Sequence, residues 1–220
     1  MSDAPLVAQS LAEVYLYLLA TPCASCGRGP LRGGEAESGD SQAGGNTVIV
    51  AATCGSCQSV TRWKIQLDGP PQTVPTDQAP VVNSTDEPSR MLDVAQWLTL
   101  FGIKMDAAGK ELTKSASENP LTLPSDPPYS VGSTDPPGAG EGLRMHSKTA
   151  ARKLSLEAAQ CLDEALKFYE EDNDLPPNDA FFHAGSRDRF RDHPQHFSRQ
   201  RLLHLRSKLP TPWPMRPGGE

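Results

Sequence analysis

The chain has 220 residues and a formal charge of −6. Only 37% of its residues are hydrophobic, against 21 prolines and 18 glycines, which argues against one core spread over the whole length and for small ordered pieces joined by irregular chain. The acidic balance argues against global attraction to nucleic acid, and no apolar run approaches the ~20 residues a membrane helix needs.

The chain divides into four parts. Residues 1–68 form a module that holds two cysteine pairs. Residues 69–145 contain eleven prolines and read as a Pro-rich linker with a short helix near 88–102. Residues 146–209 read as a helical segment, and residues 210–220 as a disordered tail whose spaced prolines forbid a regular helix. Met1 to Leu19 lacks the basic start and cleavage site of a signal peptide. A cytoplasmic location is therefore expected.

Within the first module, Glu13–Thr21 is rich in Tyr, Val and Leu. It fits a strand by composition and a helix by the spacing of Leu11, Val14, Tyr15, Leu18 and Leu19; a strand is expected. Arg28 to Asn46 is rich in Gly, Ser and Glu and reads as a mobile loop. Thr47–Thr53 reads as a strand. Val60–Leu67 alternates and reads as a third strand, with Trp63, Ile65 and Leu67 inward. In the linker, Met91, Val94, Trp97, Leu98 and Phe101 share a helical face, and Gly102 is placed to stop that helix. Ala150–Tyr169 is expected as the longest helix, ended by Asp172-Asn173-Asp174 and Pro176-Pro177. A turn around Asn178–Phe182, the segment Ser186–Asp192 and a last helix from Pro194 to Lys208 follow, with Phe197, Leu202, Leu205 and Leu209 inward.

Cys23, Cys26, Cys54 and Cys57 form two Cys-x-x-Cys pairs separated by 27 residues. Two residues between cysteines let both sulfurs reach one ion from a tight turn, and two such turns supply a tetrahedron of thiolates, the arrangement of structural zinc. Glycines at 27 and 55 allow the turns. Two disulfides, a metal-free remnant, a redox dithiol and an iron–sulfur centre remain alternatives. Four thiolates leave zinc no open position, so catalysis at the metal is not expected; Zn2+ would serve stability.

Cys161 falls on an apolar helical stripe and reads as a packing group. His183, His193, His196 and His204 share no clear face with an acidic ligand and read as surface or capping residues. Between His183 and Leu209 seven Arg/Lys face two Asp. Arg199, Arg201, Arg206 and Lys208 are thus candidates for contact with an acidic partner, or form a solvated charged face. No P-loop, dinucleotide fingerprint, nucleophile elbow or zincin motif occurs.

Tyr15-Leu16-Tyr17-Leu18 before Cys23-Ala24-Ser25-Cys26-Gly27, and Cys54-Gly55-Ser56-Cys57 before Arg62 and Trp63, resemble a group of uncharacterised bacterial zinc-ribbon-like proteins. Glu87-Pro88-Ser89-Arg90-Met91-Leu92-Asp93 with Gln96-Trp97-Leu98 is similar to a Trp-containing element that follows the ribbon there. Glu164-Ala165-Leu166-Lys167-Phe168, Ala180-Phe181-Phe182 and Pro194 to Leu203 also look alike. The likeness implies a zinc ribbon and carries no activity. The Gly/Ser loop and the Pro-rich insert depart from it.

The expectation is an α+β protein: a three-stranded zinc ribbon packed with a short Trp-bearing helix and a C-terminal helical segment. It would act without catalysis as a structural-zinc module that binds another protein or regulates it. A nucleic-acid-binding ribbon using the basic last helix and a thiol-dependent enzyme are the rival readings.

Overall fold

The computed structural model describes residues 6–39, 46–68, 82–83, 85–117 and 139–211. Residues 69–81, 84 and 118–138 of the Pro-rich linker and residues 212–220 of the tail therefore lie outside the described residues. The chain is mixed α+β. In order come β1 (Leu6–Ala8), α1 (Leu11–Ala20), β2 (Leu31–Ser38), β3 (Asn46–Cys54), β4 (Val60–Leu67), α2 (Val94–Ser117) and α3 (Ala139–Leu166). A 3-10 turn at Asn178–Ala180, α4 (Ala184–Asp192), a second 3-10 turn at Pro194–Phe197 and α5 (Arg199–Ser207) complete it.

The strand expected over 13–21 is instead α1. The decisive signal is local: Ser10 Oγ accepts the Glu13 N–H at 3.2 Å, and Glu13 Oε2 accepts the Gln9 N–H at 2.6 Å. This is a capping box, shifted by one residue at its return bond. Val14, Tyr17 and Leu18 are buried at helical spacing. Pro22, lacking an N–H, follows the cap at Thr21.

The four strands form one sheet in the order β1-β4-β3-β2, where a three-stranded ribbon was expected. The added strands are non-local. β1 pairs parallel with β4, Leu6 opposite Ile65. β2 occupies 31–38 of the expected loop and pairs antiparallel with β3 from Leu31↔Cys54 to Ser38↔Val48, with an irregularity between Gly33 and Ala36. Its Gly- and Glu-rich sequence has little strand propensity of its own; the ladder offered by β3 decides. α1 lies across it: Tyr15 Oη donates to the Gly34 carbonyl at 2.9 Å, and a Cβ at Gly33 would stand 2.7 Å from the Tyr15 ring. In β4, Ile65 and Leu67 are buried and Trp63 half-buried, as the alternation requires.

α2 begins with a reciprocal cap. Asp93 Oδ1 accepts the Gln96 N–H at 2.9 Å, and Gln96 Oε1 accepts the Asp93 N–H at 3.1 Å. Met91, Val94, Trp97 and Leu98 are buried and Phe101 half-buried. Gly102 does not stop the helix. It costs about 1 kcal/mol relative to Ala, and packing of α2 along α3 carries the helix to Ser117. α3 starts eleven residues before the expected Ala150 and ends at Leu166. The N–H groups of Lys167, Phe168 and Tyr169 then bond back three residues at 3.2–3.3 Å, tightening the last turn.

The expected single helix from Pro194 to Lys208 is broken at Ser198, whose Oγ accepts the Arg201 N–H and caps α5. Phe181 stacks on Phe190 at 4.5 Å, and the Phe197 ring meets Phe181 edge-on at 5.3 Å. Tyr169 Oη donates to the Phe197 carbonyl at 2.6 Å. Trp97, Phe181, Phe197, Ile65 and Leu18 are all fully or almost fully buried in one hydrophobic cluster that joins sheet and helices. Among the described residues no helix is long and apolar enough to cross a membrane.

Candidate metal centre

Register brings the cysteines together. Cys23 and Cys26 lie in the turn between α1 and β2; Cys54 ends β3, and Cys57 lies in the turn to β4. Because Leu31 pairs with Cys54, both turns stand at one end of the sheet. The Gly55 N–H donates to the Pro30 carbonyl at 3.0 Å, and Ser56 Oγ donates to the Gly29 carbonyl at 3.0 Å. These bonds lock one turn against the other.

The two turns are built alike. The Gly27 N–H donates to the Cys23 carbonyl (2.8 Å) and the Gln58 N–H to the Cys54 carbonyl (3.0 Å); the Cys23 N–H donates to the Arg28 carbonyl (2.6 Å) and the Cys54 N–H to the Ser59 carbonyl (2.9 Å). The fourth residue after each leading cysteine has a left-handed backbone, φ 67° at Gly27 and 61° at Gln58. Glycine reaches that region freely and glutamine at a cost.

All four Sγ atoms lie within 4.8 Å of one another. Cys23 and Cys57 are 3.7 Å apart, as are Cys26 and Cys54. Thiolates about 2.3 Å from a zinc ion form a tetrahedron with edges of about 3.8 Å. The close contacts run between the turns, so the four residues converge on one point and fit a single metal ion. Cys23 and Cys54 are buried, Cys26 is half-buried and Cys57 exposed.

Hydrogen bonds to sulfur shape the set. The Ser56 N–H donates to Cys54 Sγ at 3.4 Å. Ser59 Oγ lies 3.1 Å from Cys57 Sγ and 3.3 Å from Cys23 Sγ. The Ser59 hydroxyl, followed by the Ser25 and Cys26 amides, lowers the Cys23 thiol to about 6. The same hydroxyl and the Ser59 amide lower Cys57. At Cys26 the Arg28 amide pulls down, but burial and the three neighbouring sulfurs prevail and raise it to about 12. Four thiolates cannot share this volume without a cation to offset their repulsion. Ser59 and the left-handed Gln58 belong to the site, and sequence reading missed both; the signal was the match of residues 54–59 to residues 23–28.

The four cysteines are the one group of His, Cys, Asp and Glu side chains that could hold a metal among the described residues. Cys161 is buried on α3, and burial raises its thiol to about 12. His193 and His196 stack at 5.2 Å, while His183 precedes α4 as its cap and His204 lies on α5. Along α5, Arg201 and His204, three apart, lie on one side of the helix. Arg199 and Arg206, seven apart, share a face; Arg201 lies about 200° from Arg199 around the helix. Arg206 Nε bonds Asp163 Oδ1 at 2.6 Å, and Arg201 Nη1 donates to the His196 carbonyl at 2.7 Å. Arg201 and Lys208 are exposed.

Two buried carboxylates also escaped sequence reading. Glu13 is fully buried, with one oxygen lacking a hydrogen-bond partner. Desolvation raises it above the ordinary 4.5, opposed by the Ser89 hydroxyl and the Gln9 amide. Desolvation likewise raises Glu164, against the pull of Lys167, which it meets at 2.7 Å. Asn83 Nδ2 donates to its other oxygen at 3.1 Å.

No family model, curated protein or solved structure matches the chain. The likeness to bacterial zinc-ribbon-like proteins thus rests on the motifs alone, and what ties those motifs to chemistry is the convergence of the four sulfurs.

Proposed function

We propose that Cys23, Cys26, Cys54 and Cys57 hold one Zn2+ as a structural centre, and that the protein works without catalysis as an interaction or regulatory module for another protein. The convergence of four sulfurs at tetrahedral spacing carries the metal reading. A cluster of several bridged irons would push its thiolates farther apart than a single ion does, which favours zinc over an iron–sulfur centre. A four-thiolate set leaves no position for water or substrate. The interaction reading draws on the exposed cations Arg201 and Lys208 of an otherwise acidic chain; an acidic partner can match them without meeting the whole surface.

Elemental analysis of the purified chain tests the first part. One zinc per chain is expected, lost in Cys23→Ser and Cys54→Ser. Stoichiometric iron, or a reduced, folded chain without metal, would overturn it. Binding to random DNA and RNA at two salt concentrations tests the second. Micromolar binding that falls steeply with salt, and that is lost in Arg201→Ala, promotes the nucleic-acid reading. Rapid, stoichiometric thiol modification of the metal-loaded protein promotes the thiol-enzyme reading.

A further inference from the structure

The four sulfurs differ in their access to solvent. Cys57 is exposed, Cys26 half-buried, and Cys23 and Cys54 buried. Cys57 also has a sulfur of the other turn close at hand, with Cys23 Sγ 3.7 Å away. Ser59 Oγ lies 3.1 Å from the first and 3.3 Å from the second, so one hydroxyl borders both.

The turns that carry these two cysteines are joined without sulfur. The Gly55 N–H donates to the Pro30 carbonyl and the Ser56 hydroxyl to the Gly29 carbonyl, both at 3.0 Å. These bonds do not depend on what the thiolates hold, so they keep Cys57 beside Cys23 when an ion leaves. An S–S bond needs the two sulfurs to approach by about 1.7 Å, the scale of a side-chain rotation. Thiolates are both metal ligands and nucleophiles, and exposure decides which of them an oxidant reaches.

We infer that the centre is a peroxide-sensitive switch in which Cys57 meets the oxidant and Cys23 resolves it; the inference rests on the metal reading above. The Cys57 thiolate attacks hydrogen peroxide: an S–O bond forms, the O–O bond breaks and hydroxide leaves, giving the sulfenic acid. The Cys23 thiolate then attacks that sulfur: the S–S bond forms, the S–O bond breaks and a second hydroxide leaves. Both hydroxides take protons from solvent. Two thiolates have lost two electrons, and peroxide has become two waters. Cys26 and Cys54 alone remain as thiolates, too few to retain a structural ion, which is released.

The test treats the intact, metal-loaded chain with a small molar excess of hydrogen peroxide. Released metal is followed with a chromogenic chelator, and disulfides are mapped by mass spectrometry after free thiols are alkylated. One ion released per Cys23–Cys57 disulfide is expected, reversed by a thiol reductant and added zinc. Cys57→His keeps a fourth ligand of a kind zinc accepts but no reactive sulfur, and should slow release about tenfold or more. Cys161→Ala should leave the rate unchanged. Release without that disulfide, a first disulfide at any other pair, or parent-like release from Cys57→His would overturn the switch. Should Cys57→His not load zinc, the disulfide map of the parent decides. A chain without metal before peroxide is added sinks the metal reading and the switch with it; a loaded chain that keeps its ion under peroxide sinks the switch alone.

Discussion

The sheet end and the helical body hold themselves together by different means. Around the cysteines the turns are exposed at Gly27, Arg28, Gly55 and Ser56. Their order comes from backbone bonds and from whatever neutralises four sulfurs. In the helical body Trp97, Phe181, Phe197, Leu162 and Leu202 are fully or almost fully buried, and burial of apolar surface suffices. The contrast teaches that one chain can order a region with few buried apolar residues where four converging thiols give an ion the chance to take the place of a core.

Metal removal should break the comparison most. Structural zinc sites contribute apparent free energies of about 10–16 kcal/mol in small peptides, so chelation under reducing conditions should open β3–β4 and leave α2–α3 protected. Amide hydrogen exchange reads this directly. Equal protection of both regions with and without chelator would show that the sheet needs no ion. Next in size is Trp97→Ala, which should cost about 3–5 kcal/mol and lower the denaturation midpoint of sheet and helices together, because Trp97 sits in the shared cluster. An unchanged midpoint would refute its anchoring role.

Glu13 sharpens the contrast through pH. Its native value lies above 4.5 because burial disfavours the charge. The native state therefore holds this proton more tightly than the unfolded chain. The associated stability is fully present below 4.5 and is lost as pH rises through the native value. Glu13→Gln should flatten the decline with pH of the urea midpoint relative to the parent, both measured with metal bound. Parallel pH profiles would show that Glu13 is ionised at no cost.

The smallest effects separate the two turns. Gly27→Ala meets no atom within 4 Å, so its expected loss of roughly 1–2 kcal/mol is backbone strain alone. Gln58→Gly should move stability the other way by about 1 kcal/mol. Equal and opposite shifts in thermal midpoint would establish the turns as equivalent; a loss in both would mean that the Gln58 side chain, whose Nε2 donates to the Gly55 carbonyl at 3.3 Å, matters more than its backbone.

The local chemistry of residues 23–27 and 54–57, and the period-two alternation of β4, were legible because neighbours along the chain decide them. A turn that aims two sulfurs needs only its own few residues, and an alternating strand shows its buried face wherever it pairs. The spacing also put Trp97 on an apolar face without any partner being known. At Glu13–Ala20, whose apolar residues satisfy two periods, the local Ser10 cap selected the helix. The tertiary structure decided the rest. β2 exists because β3 offers a ladder beyond its own residues, from Ser38↔Val48 to Leu31↔Cys54. Gly102 stays helical because α3 packs beside it. The aromatic cluster around Phe197 turns the chain before Ser198 starts α5. In each case the local preference is worth about 1 kcal/mol or less, and contacts between distant segments outweigh it.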